Sequence, residues 1–210
     1  MPMPGIPMPT PMLSDRRALL GAALGGLATL ALPRAAFALT DDQAKALIGR
    51  AIDDVNAAIA SGKTGAPLYA LFENVFTRYA DVPTIARSAL GSAARSATPA
   101  QMAAFTTAFR GYISRKYGKR FREFIGGRFE VQGARAVKGF YEVKTTAILQ
   151  GQAPFEVLWD VSDKSGKDLF FNIIIEGVNM LAAERTEIGS MLDARRGNID
   201  ALIADLKTAG

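Results

Sequence analysis

The stretch at residues 76–91, FTRYADVPTIARSALG, decides how the rest of the chain is interpreted. Asp81 followed by Pro83 is typical of a helix start, because a carboxylate caps free N–H groups and proline fits the first turn. Apolar residues then recur at helical spacing from Ile85, and Gly91 favours the left-handed backbone that ends a helix. The stretch predicts a short amphipathic helix packed against aromatic neighbours.

Three further helix starts surround this stretch. Thr40 with Gln43, and Thr98 with Gln101, have the spacing of capping boxes, in which each pair exchanges side-chain and backbone hydrogen bonds. Pro67 suits the first turn of a third helix. The first half of the chain is therefore predicted to be helical.

A basic run lies on the helix that starts at Thr98, which we expect to continue to about Ile125. Its members are Arg110, Arg115, Lys116, Lys119, Arg120 and Arg122, opposed only by Glu123. Such a run indicates either a solvated helix face or an electrostatic docking surface for acidic partners or lipid headgroups. The sequence leaves both interpretations open.

The second half of the chain changes to an alternating apolar period, which predicts strands. Val157 and Trp159 alternate with Glu156 and Asp160, as in a strand with one apolar and one polar face. Residues 169–175 are almost continuously apolar, which predicts a central strand covered on both faces. We therefore expect a single α+β domain, with helices before and after a mostly antiparallel mixed sheet.

The composition excludes most enzyme classes. Hydrophobic residues make up 49% of the 210, enough for one packed domain. The chain contains no Cys and no His, which removes disulfides, thiol nucleophiles, imidazole bases and nearly every zinc site. We expect no catalytic residue, no metal and no cofactor.

The first 38 residues have the pattern of a secretory signal. Arg16 and Arg17 precede an apolar run that is shorter than the roughly 20 residues needed to cross a bilayer. The AFA at residues 36–38 is an A-x-A cleavage site. We expect export by the Sec or the twin-arginine route and a mature domain at residues 39–210. Cleavage there removes three arginines and one aspartate, and the resulting mild positive charge does not by itself indicate nucleic acid.

Three motifs in order resemble the MlaC family of periplasmic phospholipid-shuttle proteins. They are the stretch at 76–91 with TPAQ at 98–101, then IEGVN at 175–179, and finally NIDALI at 198–203. The resemblance covers essentially the whole predicted mature chain.

The chain also departs from the pattern of that family at three places. Family members usually carry Trp at the position of Leu169, Ser at that of Asn179, and Asn-Tyr-Arg at residues 183–185, where this chain has Ala-Glu-Arg. Only Arg185 of the last set is retained.

The resemblance implies a non-enzymatic periplasmic carrier whose helices and sheet enclose an apolar lipid cavity. It implies shuttling of phospholipid between an outer-membrane lipoprotein complex and the periplasmic domain of an inner-membrane ABC transporter complex, which maintains outer-membrane lipid asymmetry. A related branch, the HpnM proteins, makes a hopanoid the alternative ligand.

The aromatic helix faces and the apolar strand face are the expected wall of that cavity. The expected lipid contacts are Phe72, Phe76, Tyr79, Ile85, Phe105, Phe109, Tyr112, Val157, Trp159, Ile173, Ile175 and Val178. The expected partner or headgroup contacts are Arg115, Lys119, Arg122 and Arg185. Apolar stripes of this kind are equally typical of an ordinary core, so the pattern alone does not separate the two.

Two other functions stay open at this point. One is a small enzyme that uses Asp160 or Glu176 as a carboxylate base, although no second acid or metal set accompanies them. The other is a non-catalytic adaptor that binds only protein. Co-purified lipid distinguishes a carrier from an adaptor, and turnover of the ligand distinguishes an enzyme from both.

Overall fold

The computed structural model describes residues 39–120 and 124–210, so the predicted leader at residues 1–38 lies outside it. The first helices are α1 (Asp41–Ala60), α2 (Ala66–Tyr79), α3 (Val82–Leu90) and α4 (Pro99–Gly118), with a short 3₁₀ turn at Gly91–Arg95. The strands are β1 (Arg128–Val137), β2 (Phe140–Ile148), β3 (Phe155–Ser162), β4 (Leu169–Ile175) and β5 (Val178–Asn179). Two helices follow, α5 (Met180–Ala194) and α6 (Ile199–Leu206).

The predicted capping boxes start α1 and α4. The Thr40 side chain accepts a hydrogen bond from the Gln43 N–H, and the Gln43 side chain accepts one from the Thr40 N–H. Thr98 and Gln101 make the same pair of bonds at the start of α4. Both predictions are confirmed, because these contacts depend on residues only three positions apart.

The helix predicted within residues 76–91 is α3. The Asp81 carboxylate accepts a hydrogen bond from the Thr84 N–H at 3.1 Å, and Pro83 lies in the first turn. Gly91 ends the helix with a φ of 64°, a backbone conformation that glycine adopts without steric cost. Its buried face belongs to the main core, as predicted.

The five strands form one sheet in the order β1-β2-β3-β4-β5, and every neighbouring pair is antiparallel. One isolated parallel bridge joins Ala80, between α2 and α3, to Phe170 of β4. The α+β class is confirmed. The tight turn between β1 and β2, where Gly139 has a φ of 87°, was not anticipated from the alternating pattern.

The expectation of a central, doubly covered strand at residues 169–175 is wrong. That segment is β4, which lies next to the short edge strand β5, and only Phe170 and Asn172 of its residues are buried. An apolar run shows that the side chains avoid water on average, but it does not show which partners cover each face.

The helices cover one face of the sheet. The main core joins residues of all six described α-helices with Val143 of β2, Val161 of β3 and Phe170 of β4. Since alternate residues of a strand share a face, Trp159 and Ile173 lie on this same helix-facing side. All described elements therefore belong to one domain built around one core.

Helix α4 ends at Gly118, so the expectation that it continues to about residue 125 is wrong. A Cβ at position 118 would lie 2.6 Å from the Tyr69 ring, which shows how closely α2 and α4 approach there. Glycine permits this approach because it carries no Cβ. The basic pattern alone did not reveal this end.

Candidate functional site

The helix-facing side of the sheet carries an apolar row that crosses all five strands. The cross-strand register aligns, in order, Val131, Thr145, Val157, Ile175 and Val178. The middle of the row is buried, with Val157 only 3% exposed, whereas Val131 is 39% and Val178 57% exposed at the two ends. The row is therefore closed in its middle and open to solvent at both edges of the sheet.

An aromatic cluster lies beside this row. The Phe170 ring centroid is 5.5 Å from that of Trp159 and 6.4 Å from that of Phe76 on α2. Both Trp159 and Phe76 are only partly buried. The cluster connects the C-terminal half of α2 to the sheet and extends the apolar surface of the row.

The polar atoms on this surface are satisfied locally. The Trp159 indole N–H donates to the Thr145 hydroxyl at 3.0 Å, and that hydroxyl donates to the Val157 carbonyl at 3.1 Å. Because it carries no free hydrogen-bond donor, acceptor or charge, this surface suits an apolar ligand and has no group that could take part in a reaction. We call the row and the aromatic cluster together the sheet-side surface.

Six of the twelve predicted lipid contacts lie on the sheet-side surface or border it. These are Phe76, Val157, Trp159, Ile173, Ile175 and Val178, whose strand members occupy two adjacent rows of the register. Sequence reasoning missed Phe170, which joins the aromatic residues, and Val131, which ends the row. Phe170 lies in an almost continuously apolar strand whose pairing with β3 contains a bulge. The side of the sheet on which its side chain lies could therefore not be deduced from alternation.

The other six predicted contacts lie among the helices. Phe105 and Phe109 are fully buried and stacked 5.7 Å apart, and Tyr112 is 2% exposed. Phe72 packs in a second small cluster of α1 and α2, while Tyr79 and Ile85 are buried in the main core. Lipid contact by these residues stays a prediction.

The basic residues of α4 are held by neighbouring elements. Arg115 donates to the Ala209 carbonyl at 2.8 Å and to the Leu206 carbonyl at 2.5 Å, at the C-terminal end of α6. Lys119 donates to the Gly210 carbonyl at 2.5 Å. Arg115 therefore satisfies the C-terminal end of α6, where positive charge is favoured, and Lys119 binds the segment that follows α6.

The remaining predicted partner contacts have different surroundings. The exposed Arg185 of α5 extends alongside Gly91, within 3.2 Å of the place where a Cβ would stand there. Arg122 lies outside the described residues. Their predicted roles stay predictions.

A polar network joins α4 to α5. The Lys116 ammonium lies 2.7 Å from Glu184 and 2.6 Å from Glu187, and the Tyr117 hydroxyl also donates to Glu184. The Tyr112 hydroxyl donates to Glu187 at 2.5 Å. Glu184 is 4% exposed, and its Oε2 has no hydrogen-bond partner within residues 39–120 and 124–210.

The network shifts the pKa values of its members. Burial raises the pKa of Tyr112, and the hydrogen bond to Glu187 adds to this rise. Burial alone would raise the pKa of Glu187 and lower that of Lys116, but hydrogen bonds outweigh it: Lys116 donates to Glu184 and Glu187, and Tyr112 also donates to Glu187. The pKa of Glu187 is therefore lowered and that of Lys116 raised, so both groups stay charged.

The two carboxylates considered as an enzymatic base do not share a site. Asp160 lies on the sheet face opposite to Trp159, where it accepts a hydrogen bond from the Asn172 amide at 2.9 Å, and Asn172 in turn accepts one from the Leu181 N–H of α5. It is buried rather than solvent-facing as its pattern suggested, and burial raises its pKa. Glu176 is exposed in the turn between β4 and β5. An acid–base pair does not form from these residues.

The described residues also bear on metal binding and on membrane insertion. In residues 39–120 and 124–210, no group of three or more Cys, His, Asp or Glu side chains is arranged to hold a metal ion. Within the same residues, no helix has the length and apolar character needed to span a membrane.

Comparison with known proteins identifies relatives of the chain. The family model described as MlaC protein matches residues 45–208. The fold is similar to that of a phospholipid-binding protein from Ralstonia solanacearum, whose structure was solved in complex with a phospholipid. The TM-score is 0.67 at 20% identity, with 78% of this chain and 94% of that chain covered. At this identity the likeness shows a shared fold.

Proposed function

The chain belongs to the MlaC family, and from that membership we propose that it is a periplasmic phospholipid carrier. It holds the acyl chains of one lipid against the sheet-side surface while the lipid crosses the aqueous space. The observation that carries this proposal is the apolar row that remains solvent-exposed at Val131 and Val178. The phospholipid bound by the similar Ralstonia protein supports the choice of ligand.

The physical task is to shield acyl chains from water. Each methylene that enters water costs about 0.8 kcal/mol, so two chains of about 15 methylenes each do not leave a bilayer unprotected at a useful rate. Transfer from bilayer to an apolar protein surface is close to neutral, because both surroundings are apolar. Such a carrier needs no catalytic group, which agrees with the uncharged and internally satisfied sheet-side surface.

The same membership underlies the proposed route. Residues 1–38 direct export and are removed, and residues 39–210 form the mature carrier. It exchanges lipid with an outer-membrane lipoprotein complex and with the periplasmic domain of an inner-membrane ABC transporter complex, and so maintains lipid asymmetry. N-terminal sequencing of the protein from a periplasmic fraction should begin near Leu39, and an intact leader would contradict this route.

Mass spectrometry of an organic extract from the natively purified protein is the direct test. We expect about one phospholipid per molecule. Native mass spectrometry should show a protein–lipid complex that loses the mass of the lipid when the protein is denatured. A protein free of lipid contradicts the carrier function. A hopanoid in the extract keeps the carrier and replaces its ligand.

Two adjacent half-buried isoleucines provide a matched pair of variants for the site. Ile175 lies on the helix-facing side of β4, and Ile174 lies on the opposite face. Ile175→Asp should lose bound lipid because a carboxylate replaces an apolar contact, whereas Ile174→Asp should retain it. Circular dichroism checks that both variants fold, and equal lipid retention would place the acyl chains elsewhere.

A further inference from the structure

A groove between α3 and α4 lies outside the sheet-side surface. Its volume is about 370 Å³, and its lining residues are Pro83, Thr84 and Arg87 of α3 with Met102, Ala103 and Thr106 of α4. The inner faces of the same two helices carry Ala86 and Phe105, both 0% exposed. This closed layer separates the groove from the sheet, so a lipid held on the sheet does not reach the groove.

The floor of the groove is apolar, and its polar atoms are largely engaged. Pro83, Met102 and Ala103 contribute apolar surface. The Thr106 hydroxyl donates to the Met102 carbonyl at 2.8 Å, inside α4. The Asp81 carboxylate, which is the nearest acidic group in sequence, is bound to the first turn of α3.

Arg87 is the charged group of the groove. It is exposed, and within the described parts of the chain it has no carboxylate or hydrogen-bond partner. This distinguishes it from Arg110, Lys116 and Arg115 of α4, which bind Glu73, two α5 carboxylates and the end of α6. An unpaired guanidinium beside an apolar floor is complementary to a carboxylate that stands next to an apolar side chain.

We propose that this groove docks a short segment of a partner protein that carries an Asp or Glu beside a large apolar residue. The inference rests on the proposed carrier function, since a carrier has to bind and leave its partners repeatedly. One exposed ion pair and a shallow apolar contact give the weak and fast binding that this requires. The proposal assigns the positive charge that binds the partner to Arg87 on α3 instead of to the basic run of α4.

The test uses a photo-cross-linking amino acid at Ala103, introduced into the full chain in cells that produce it natively. After irradiation, mass spectrometry identifies the peptide joined to position 103. We expect a membrane-associated protein whose joined segment contains Asp or Glu within two residues of a large apolar side chain. Cross-links to lipid, or to a second copy of this chain, would overturn the proposal.

Charge variants show whether Arg87 recognises that segment. Arg87→Glu should reduce the cross-link yield about fivefold, because an exposed ion pair becomes a repulsion, and Arg87→Lys should largely restore it. Arg50→Glu is the matched control, since Arg50 is an exposed arginine on α1 away from the groove. Equal yields in Arg87→Glu and Arg50→Glu would overturn the proposal.

Bound lipid is measured in the same variants. Arg87→Glu that keeps its lipid but loses the cross-link supports docking at the groove. A chain that carries lipid normally but gives no cross-link refutes the groove and leaves the carrier function standing. Absence of lipid from the unmutated protein refutes the carrier function itself.

Discussion

The helical core and the sheet-side surface are built from the same residue types, yet they differ in how completely they are closed. Phe105 and Phe109 are 0% exposed. On the sheet, Trp159 and Ile175 are only partly buried, and the row that contains Ile175 ends at a 57% exposed Val178. A soluble domain rarely exposes a contiguous row of apolar side chains unless that surface binds something. Under the proposed function, residual exposure rather than residue type distinguishes the lipid-binding surface from the core.

The two regions also differ in how their polar groups are satisfied. The helical region is joined by bonds between distant elements, such as Lys116 to Glu184 and Arg115 to the end of α6. The sheet-side surface uses only the short chain from Trp159 through Thr145 to the Val157 carbonyl. We therefore expect stability to reside mainly in the helical region and ligand retention in the other.

Phe109→Ala should have the largest effect on stability. Removing a fully buried ring from the helical core should lower the free energy of unfolding by about 3–5 kcal/mol. Urea denaturation of the mature protein measures this loss. Phe76→Ala, which removes a partly buried ring at the sheet-side surface, should cost clearly less and should instead reduce bound lipid. Equal losses of stability would remove the distinction between the two regions.

Arg115→Met should have the next largest effect, a loss of about 1–3 kcal/mol in the free energy of unfolding. The substitution keeps an apolar stem but leaves two carbonyls near the end of α6 without their donor. Lys119→Met, which removes one bond at an exposed site, should cost less. Thermal unfolding compares the two variants. A stable Arg115→Met protein with impaired lipid transfer would instead support the earlier idea of a docking role for this residue.

The pH dependence of stability should have opposite signs at Glu187 in the helical region and at Asp160 on the opposite face of the sheet. The lowered pKa of Glu187 contributes stability above its ordinary value of 4.5, and this is lost as the pH falls through the lowered value. The raised pKa of Asp160 works in reverse, because stability falls as the pH rises from 3.8 to the raised value.

Glu187→Gln should therefore reduce the loss of stability that occurs as the pH falls. Asp160→Asn should remove the loss of stability that occurs as the pH rises from 3.8. Urea unfolding between pH 3 and pH 6 measures both slopes. Relative to the unmutated protein, changes in slope of the same sign in the two variants would contradict the assigned pKa directions.

Val131→Thr combined with Val178→Thr should have the smallest effect on stability, below about 0.5 kcal/mol, because both side chains are exposed. The variant keeps the β-branched shape and makes the open ends of the row polar. Lipid uptake from vesicles should nevertheless slow, which fluorescence of a labelled phospholipid detects. Unchanged uptake would show that these ends do not contact the ligand.

The features that depend on near neighbours in sequence were predictable. The capping boxes at Thr40 and Thr98 and the cap at Asp81 involve partners three residues away, so the motif contains the whole interaction. The alternation through Val157 and Trp159 likewise fixes which side chains share a face. These local patterns sufficed for the α+β class.

The contacts between distant residues were not predictable. Arg115 meets a carbonyl 94 positions away, and Lys116 meets Glu184 68 positions away, so a basic run gave no sign that it is used internally. The burial of Asp160 depends on Asn172 and on a bulge between β3 and β4. A single sequence shows which side chains are charged, but it does not show which helices or strands supply their hydrogen-bond partners.

The bridge at Ala80 has a consequence for the timing of ligand exchange. The Asp81 N–H donates to the Phe170 carbonyl at 2.8 Å, and this bond joins the α2–α3 junction to β4. The rings of Phe76 on α2 and Trp159 on β3 both pack against Phe170. The Asp81 amide can exchange its hydrogen for deuterium only when helices and sheet separate there. The hydrogen–deuterium exchange rate of the Asp81 amide therefore reports how often the domain opens at this junction. That rate can be compared with the rate of lipid entry.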